Sequence, residues 1–267
     1  MTDFKKVKRI HFLLALLVVA VALLLVSIVS NDNIWNALSD NTTEHFNAEK
    51  TVSVFAHSNG LSVGDYPESL VELLERNPET KDFVLSYPLE KDIMHDIDLS
   101  EFKDSETVPL FLQWDKRWGY KNYGSDVAGL TACGPVCLSM CAFYLTNDEA
   151  MSPDKMIDFA IENDYYVTGS GSLWTLISEG GEKLGFDVEE LPLDKNIIVK
   201  NLRKGNPVIC VMGKGHFTST GHFIVLTGID ENGDFVVNDP NSVSNSSRSW
   251  SYEIISDEVK NLWSISK

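Results

Sequence analysis

The chain has 267 residues, 43% of them hydrophobic and 23% charged, a globular composition that excludes a disordered or collagen-like protein. Its 22 Lys and Arg against 39 Asp and Glu give a formal charge of −17, which argues against a phosphate-backbone partner, so no nucleic acid is expected. Four cysteines, at 133, 137, 141 and 210, are too few for a disulfide scaffold and lack the paired spacing of a zinc knuckle. No metal and no cofactor are therefore expected, and a reactive thiol is the feature to look for.

The charge is unevenly placed. Residues 1–30 hold Lys5, Lys6, Lys8 and Arg9 against Asp3, a net of +3, while the remainder carries 18 basic and 38 acidic residues, a net of −20. Within the first segment, FLLALLVVAVALLLVSIV over residues 12–29 has Ser27 as its one polar side chain and approaches the ~20 residues needed to cross a bilayer core. This predicts residues 1–9 as a cytoplasmic tail and 10–30 as a transmembrane signal anchor, with the rest extracytoplasmic by the positive-inside bias. The apolar run exceeds the ~7–15 residues of a cleaved signal core and no Ala-x-Ala pattern follows it. Cleavage, which would leave a secreted chain, stays open as the alternative. Residues 31–66 are rich in Asn, Asp, Ser and Thr and are predicted to form a solvated stalk. Asn41-Thr42-Thr43 and Asn245-Ser246-Ser247 fit the glycosylation acceptor pattern.

The packed domain is predicted over residues 67–267. Pro67 opens a short helical pattern with Leu70, Leu73 and Leu74 on one face, Glu68 near its positive end and Arg76 near the other. An acidic, weakly apolar connection follows between positions 92 and 106. A helix is predicted to start just after Cys133-Gly134-Pro135 and to run through Leu145, and another from about Ser172, as its cap, to Leu184. The apolar stretch 207–212 reads as a buried strand, and HFIVLTGIDENGDFVVNDP as a hairpin around Asn232-Gly233.

Cys133 falls at a helix N-terminus, where free N–H groups and the helix dipole favour a thiolate. Cys137 and Cys141 recur at four-residue spacing on the same helix and are expected to pack in the core, as is Cys210 in its strand. A nucleophilic thiol needs a base. His11 lies in the anchor, and His45, His57 and His95 in polar segments, which leaves His216 and His222. His222 starts an apolar strand and is the better placed; His216 sits in a Gly, Ser and Thr-rich loop. Asp239, on the neighbouring strand, is the candidate to orient the imidazole. A two-residue Asn232-Gly233 turn would oppose Asp239 to Leu226 and leave it about 13 Å along the strand from His222, so a bulge, a different loop or strong coiling is required. Asn238 is the alternative orienter. Gln113 offers a side-chain amide to an oxyanion.

LQWDKRWGYKNYG, then TACGPVCLSMCAFYL, then GHFIVLTGIDENGDFVVNDPNS together resemble the family-39 cysteine peptidases and their stand-alone relatives. The resemblance implies an α+β, papain-like fold in which the helix carrying the nucleophile packs on an antiparallel sheet. It assigns Cys133 as nucleophile, His222 as base, Asp239 as orienter and Gln113 as the oxyanion-hole residue, with Trp118, Gly124 and Gly134-Pro135 also in place. Gly or Asp commonly precedes the nucleophile in that family, and here Ala132 does. Relatives fused to transporters trim bacteriocin leaders after a double glycine; this chain has one apolar span and no phosphate-binding loop, so the chemistry carries over and that task does not. The expectation is a cysteine peptidase on a bacterial, Gram-positive cell surface, its partners being a peptide or protein substrate and the membrane. A papain-like peptidoglycan amidase or transferase, and a non-catalytic surface binding module, are the alternatives. The net charge of −20 further predicts a preference for cationic peptides, with Asp115 and Asp126 as the acids nearest the substrate.

Overall fold

The computed structural model describes residues 46–169 and 171–267. Three helices come first: α1 (Ala48–Ser58), α2 (Glu68–Arg76) and α3 (Lys81–Glu90). In α1 the buried residues Ala48, Val52 and Ala56 recur every four positions and make a single stripe, which packs on α2. The predicted stalk 31–66 is thereby corrected: the packed structure begins by Ala48, because this sparse apolar stripe finds a partner helix that is invisible in local composition. The predicted Leu70, Leu73 and Leu74 face is the buried face of α2. Phe83 of α3 stacks on Tyr120, with ring centroids 4.5 Å apart, and ties the helices to the segment leading into the first hairpin. The connection between 92 and 106 is largely irregular, with one 3-10 turn and Leu99 buried.

That hairpin, β1 (Asn122–Tyr123) and β2 (Asp126–Val127), precedes a one-turn helix at Ala128–Thr131 and then α4 (Cys133–Thr146). Every residue of α4 from Gly134 to Phe143 is buried, so this is a central helix. It is followed by α5 (Pro153–Glu162), the hairpin β3 (Tyr166–Val167) and β4 (Gly171–Ser172), α6 (Thr175–Lys183), β5 (Asp187–Glu190), α7 (Lys195–Leu202), β6 (Val208–Met212), β7 (His222–Ile229), β8 (Phe235–Asn238), β9 (Ser249–Trp250), α8 (Tyr252–Glu258) and β10 (Val259–Ser266). Ser172, read from sequence as a helix cap, belongs instead to β4. Its hydroxyl is 2.8 Å from the Tyr123 hydroxyl, a long-range partner that replaces the local capping bond.

The six-stranded sheet has the order β5-β10-β6-β7-β8-β9, with every pair antiparallel. Alternation along the strands divides two apolar layers. Ile209, Val211, Phe223, Val225, Trp263 and Ile265 face the layer that contains α4, while Val208, Cys210, Met212, Ile224, Leu226 and Leu262 face the layer with α7. The molecule is thus α+β, with the Cys133 helix laid on an antiparallel sheet. No helix among the described residues is long and apolar enough to cross a membrane; the apolar run 12–29 lies outside them.

Candidate active site

Cys133 is the first residue of α4, and no side chain caps that end, so the N–H groups of Cys133 and Gly134 have no intrahelical partner; Pro135 has no N–H, and Val136 N–H donates to Ala132 O at 3.0 Å. Ala132 precedes it fully buried, where the small side chain fits. The helix N-terminus presses against β4: a Cβ on Gly134 would lie 2.7 Å from Ser172 Oγ, so only glycine allows that approach. The Cys133 thiol faces the His222 ring and the N–H groups of Phe223 and Gly134. Desolvation disfavours a thiolate here, but the His222 hydrogen bond and charge, with the two backbone N–H groups, outweigh it and hold Cys133 below the ordinary thiol range. Desolvation likewise opposes charge on His222, yet the Asp239 charge and hydrogen bond, then those of Cys133, raise its pKa to about 10. The pair therefore favours thiolate and imidazolium. Cys137, Cys141 and Cys210 are fully buried, and burial pushes all three thiols up.

His222 Nε2 stands 2.7 Å from Asp239 Oδ1. The hairpin register explains how. Asp230 closes a wider loop than two residues, with Asp230 N–H donating to Asp234 O at 2.8 Å, and a bulge follows between Leu226 and Gly228. Val225 consequently pairs with Asn238, which brings Asp239 two positions closer to His222 than an Asn232-Gly233 turn would. Asp239 is 1% exposed, and its carboxylate also accepts from Asn241 N–H and Asn245 Nδ2, both at 2.8 Å. Asn245, one of the two sequon asparagines, is thus engaged in supporting this carboxylate. Asn238 points elsewhere and donates to the carbonyls of Val108 and Pro109, each at 3.0 Å.

Gln113 is buried and lines the cleft beside Cys133. Its Nε2 donates to Gly129 O at 2.8 Å, and the reverse amide orientation would oppose two acceptors, so one N–H of that nitrogen remains for another acceptor. Trp118 is buried in the core, and Gly124 takes a φ of +72°.

Two lobes of a cleft meet at Cys133 and His222. One, of about 900 Å³, is walled by Gly171 to Thr175, with Trp174 and Leu173 exposed, and by Met212, Lys214 and Lys260. The other, of about 570 Å³, is walled by Leu73, Arg76 and Asn77 with Gln113 and the loop 215–221. Asp115 and Asp126 line neither: Asp115 is paired with Arg117 at 2.7 Å and Asp126 accepts from Ser69 Oγ at 3.2 Å. Local sequence reading also missed the part played by the first three helices. Asn77 Nδ2 donates to Asn241 O at 2.6 Å, and the Glu79 carboxylate receives Val243 N–H at 2.7 Å and Ser244 N–H at 2.9 Å. This clamps the loop that carries Asp239 from positions more than 160 residues away in sequence. The Asn77-Pro78 turn is legible locally, but its distant partner is not.

A family profile described as Peptidase C39 like family matches residues 105–267, well over half of the chain. The chain belongs to this family. It is accordingly a cysteine peptidase, and the matched region begins after α1–α3, so the clamp on the Asp239 loop comes from outside it. A similar solved structure is the crystal structure of the peptidase domain of Streptococcus ComA, a bifunctional ABC transporter involved in a quorum sensing pathway. It is 20% identical, covers 60% of this chain and 98% of that one, and superposes with a TM-score of 0.41. No curated protein matches.

Proposed function

We propose that this peptidase hydrolyses peptide bonds through Cys133, His222 and Asp239, with Gln113 at the oxyanion hole, on the outer face of a membrane in which residues 10–30 anchor it. The observation that carries the catalytic reading is the 2.7 Å bond between His222 Nε2 and Asp239 Oδ1, with the Cys133 thiol facing the same ring in the cleft that Cys133 and His222 both line. The Cys133 thiolate attacks the substrate carbonyl, and the developing oxyanion takes the Cys133 backbone N–H and the remaining N–H of Gln113 Nε2. The His222 imidazolium gives its proton to the leaving amine. Neutral His222 then takes a proton from water as it attacks the acyl-enzyme, the acid leaves, and the thiolate–imidazolium pair is restored. Asp239 keeps the imidazole oriented and stabilises its charged form. The apolar run 12–29 and the basic residues before it support the anchor, with 1–9 on the cytoplasmic side, a linker after the span and a catalytic unit from residue 48 onward.

The test uses the full chain in membranes. Wild type and Cys133→Ala are compared on a peptide library and on purified peptidoglycan. Peptide turnover that the substitution abolishes supports the reading, turnover of peptidoglycan alone would replace it with the amidase, and turnover of neither with a binding module. Recovery in the membrane fraction of intact cells, with the domain open to external protease, checks the anchor; release of a chain about thirty residues shorter refutes it.

A further inference from the structure

The lining of the cleft runs against the charge of the molecule. The chain carries 39 acidic residues against 22 basic ones, yet no Asp or Glu lines either lobe around Cys133. Lys214 and Lys260 line the first lobe, and Arg76 lines the second beside the imidazoles of His216 and His222. All three cationic side chains are exposed, and among the described residues none of them is within an ion-pair distance of a carboxylate. The nearest carboxylate to the loop, Glu258, is buried beneath it and already engaged: it receives the His216 backbone N–H at 2.8 Å and meets the His216 ring.

The cations are also held on fixed backbone. Gly213 N–H donates to Glu258 O at 2.7 Å, Gly215 N–H to Thr218 O at 2.8 Å, and Phe217 is buried against Trp250 with ring centroids 4.5 Å apart. Lys214 thus projects from a loop anchored on both sides, Lys260 from the sheet strand β10, and Arg76 from the last turn of α2. An anionic ligand would find these charges already in place and would not have to order the loop that carries them.

We propose that the cleft selects anionic peptides, with Asp or Glu side chains flanking the scissile bond and Lys214, Lys260 and Arg76 as the specificity-determining residues. The inference rests on Cys133 being the nucleophile, and it reverses the substrate charge expected from composition. The net charge of the whole chain is screened within about 10 Å at moderate salt, whereas a side chain inside the cleft meets the three cations at close range. An exposed pair is worth about threefold in affinity, so two engaged cations, whose effects multiply, give a preference of about tenfold.

The test is a pair of peptide chloromethyl ketones, identical except for Glu or Lys at the two positions before the reactive carbon, used on the full chain at one ionic strength. The readout is the ratio of their second-order rate constants for alkylating Cys133, located by peptide mass mapping. Because each ratio is internal to one protein, a fraction of unfolded material cancels. The wild-type ratio is expected to favour the Glu probe by about tenfold and to fall toward unity in the variant Arg76→Gln, Lys214→Gln, Lys260→Gln. A wild-type ratio at or below unity, or one that the triple variant leaves unchanged, overturns the inference and leaves the peptidase reading intact. Failure of both probes to label Cys133 overturns the nucleophile assignment and this inference with it.

Discussion

Replacing Asp239 with Asn keeps the size and shape of the side chain and removes only its charge. The oxygen of the new amide still accepts from Asn241 N–H and faces His222, while its nitrogen meets the Asn245 amide, which can turn its oxygen inward. The fold should therefore survive. What is lost is the Asp239 charge, the largest contribution favouring imidazolium at a ring that is 8% exposed. A buried charge-assisted hydrogen bond is worth about 1.5–3 kcal/mol, and one pKa unit is about 1.4 kcal/mol, so the His222 pKa should drop by about 1–2 units. The sign follows from the pKa being raised in the native site: imidazolium persists at pH values below the shifted pKa and is lost as pH rises through it. In the wild type the alkaline limb of kcat/KM for an amide substrate is thus expected near pH 10, the value to which His222 is raised. In Asp239→Asn it should move to about pH 8–9, so kcat/KM should fall most, by up to about tenfold, between about pH 9 and pH 10. The acid limb, which reports the Cys133 thiol, should sit below the ordinary thiol range in the wild type because His222 stabilises the thiolate. The assay is a pH profile of kcat/KM, with thermal unfolding to establish that both proteins are folded. An alkaline limb that stays put in a folded variant would refute the argument that Asp239 sets the charge of His222.

The remaining expectations concern thiols, the clamp and one glycine. Of the four cysteines, only Cys133 should react with iodoacetamide at neutral pH, because the other three thiols are fully buried and shifted up; mass spectrometry should show a single adduct on the native chain and four after denaturation. Glu79→Ala leaves the N–H groups of Val243 and Ser244 without their carboxylate and should cost about 1–2 kcal/mol, seen as a Tm lower by about 2–6 °C, together with a reduced kcat. Glu79→Gln, which keeps an acceptor, should recover part of both, and an unchanged kcat in Glu79→Ala would mean that the clamp does not position Asp239. Gly124→Ala should destabilise by more than about 2 kcal/mol in denaturant titration, since its φ is +72° and the new Cβ would lie 1.8 Å from the Tyr166 ring.

Much of the site is legible in the linear order of residues because its chemistry is tied to local punctuation. Cys133-Gly134-Pro135 announces a helix start, and the helix found there begins at Cys133. His222 opens an apolar strand after Gly221, and the strand found begins at His222. The leucine spacing at 70, 73 and 74 likewise reports a helix face, since the period of a helix is written in the sequence itself. The distance between His222 and Asp239 is not written there. It depends on a bulge and on a loop closed by Asp230, and one residue of register moves a side chain several ångströms along a strand.

Local pattern together with the family resemblance therefore gave the class of chemistry and the helix-on-sheet class of the fold, and nominated Cys133 and His222 as nucleophile and base. The tertiary structure alone decided three things. It chose Asp239 over Asn238, because hairpin register places the one 2.7 Å from His222 and turns the other toward residues 108 and 109. It made α2 and its C-cap part of the cleft wall through Leu73, Arg76 and Asn77. It also separated the charge of the cleft from that of the chain, a difference no sum over residues contains, because net charge counts side chains regardless of position whereas a substrate meets only those that folding brings to the nucleophile.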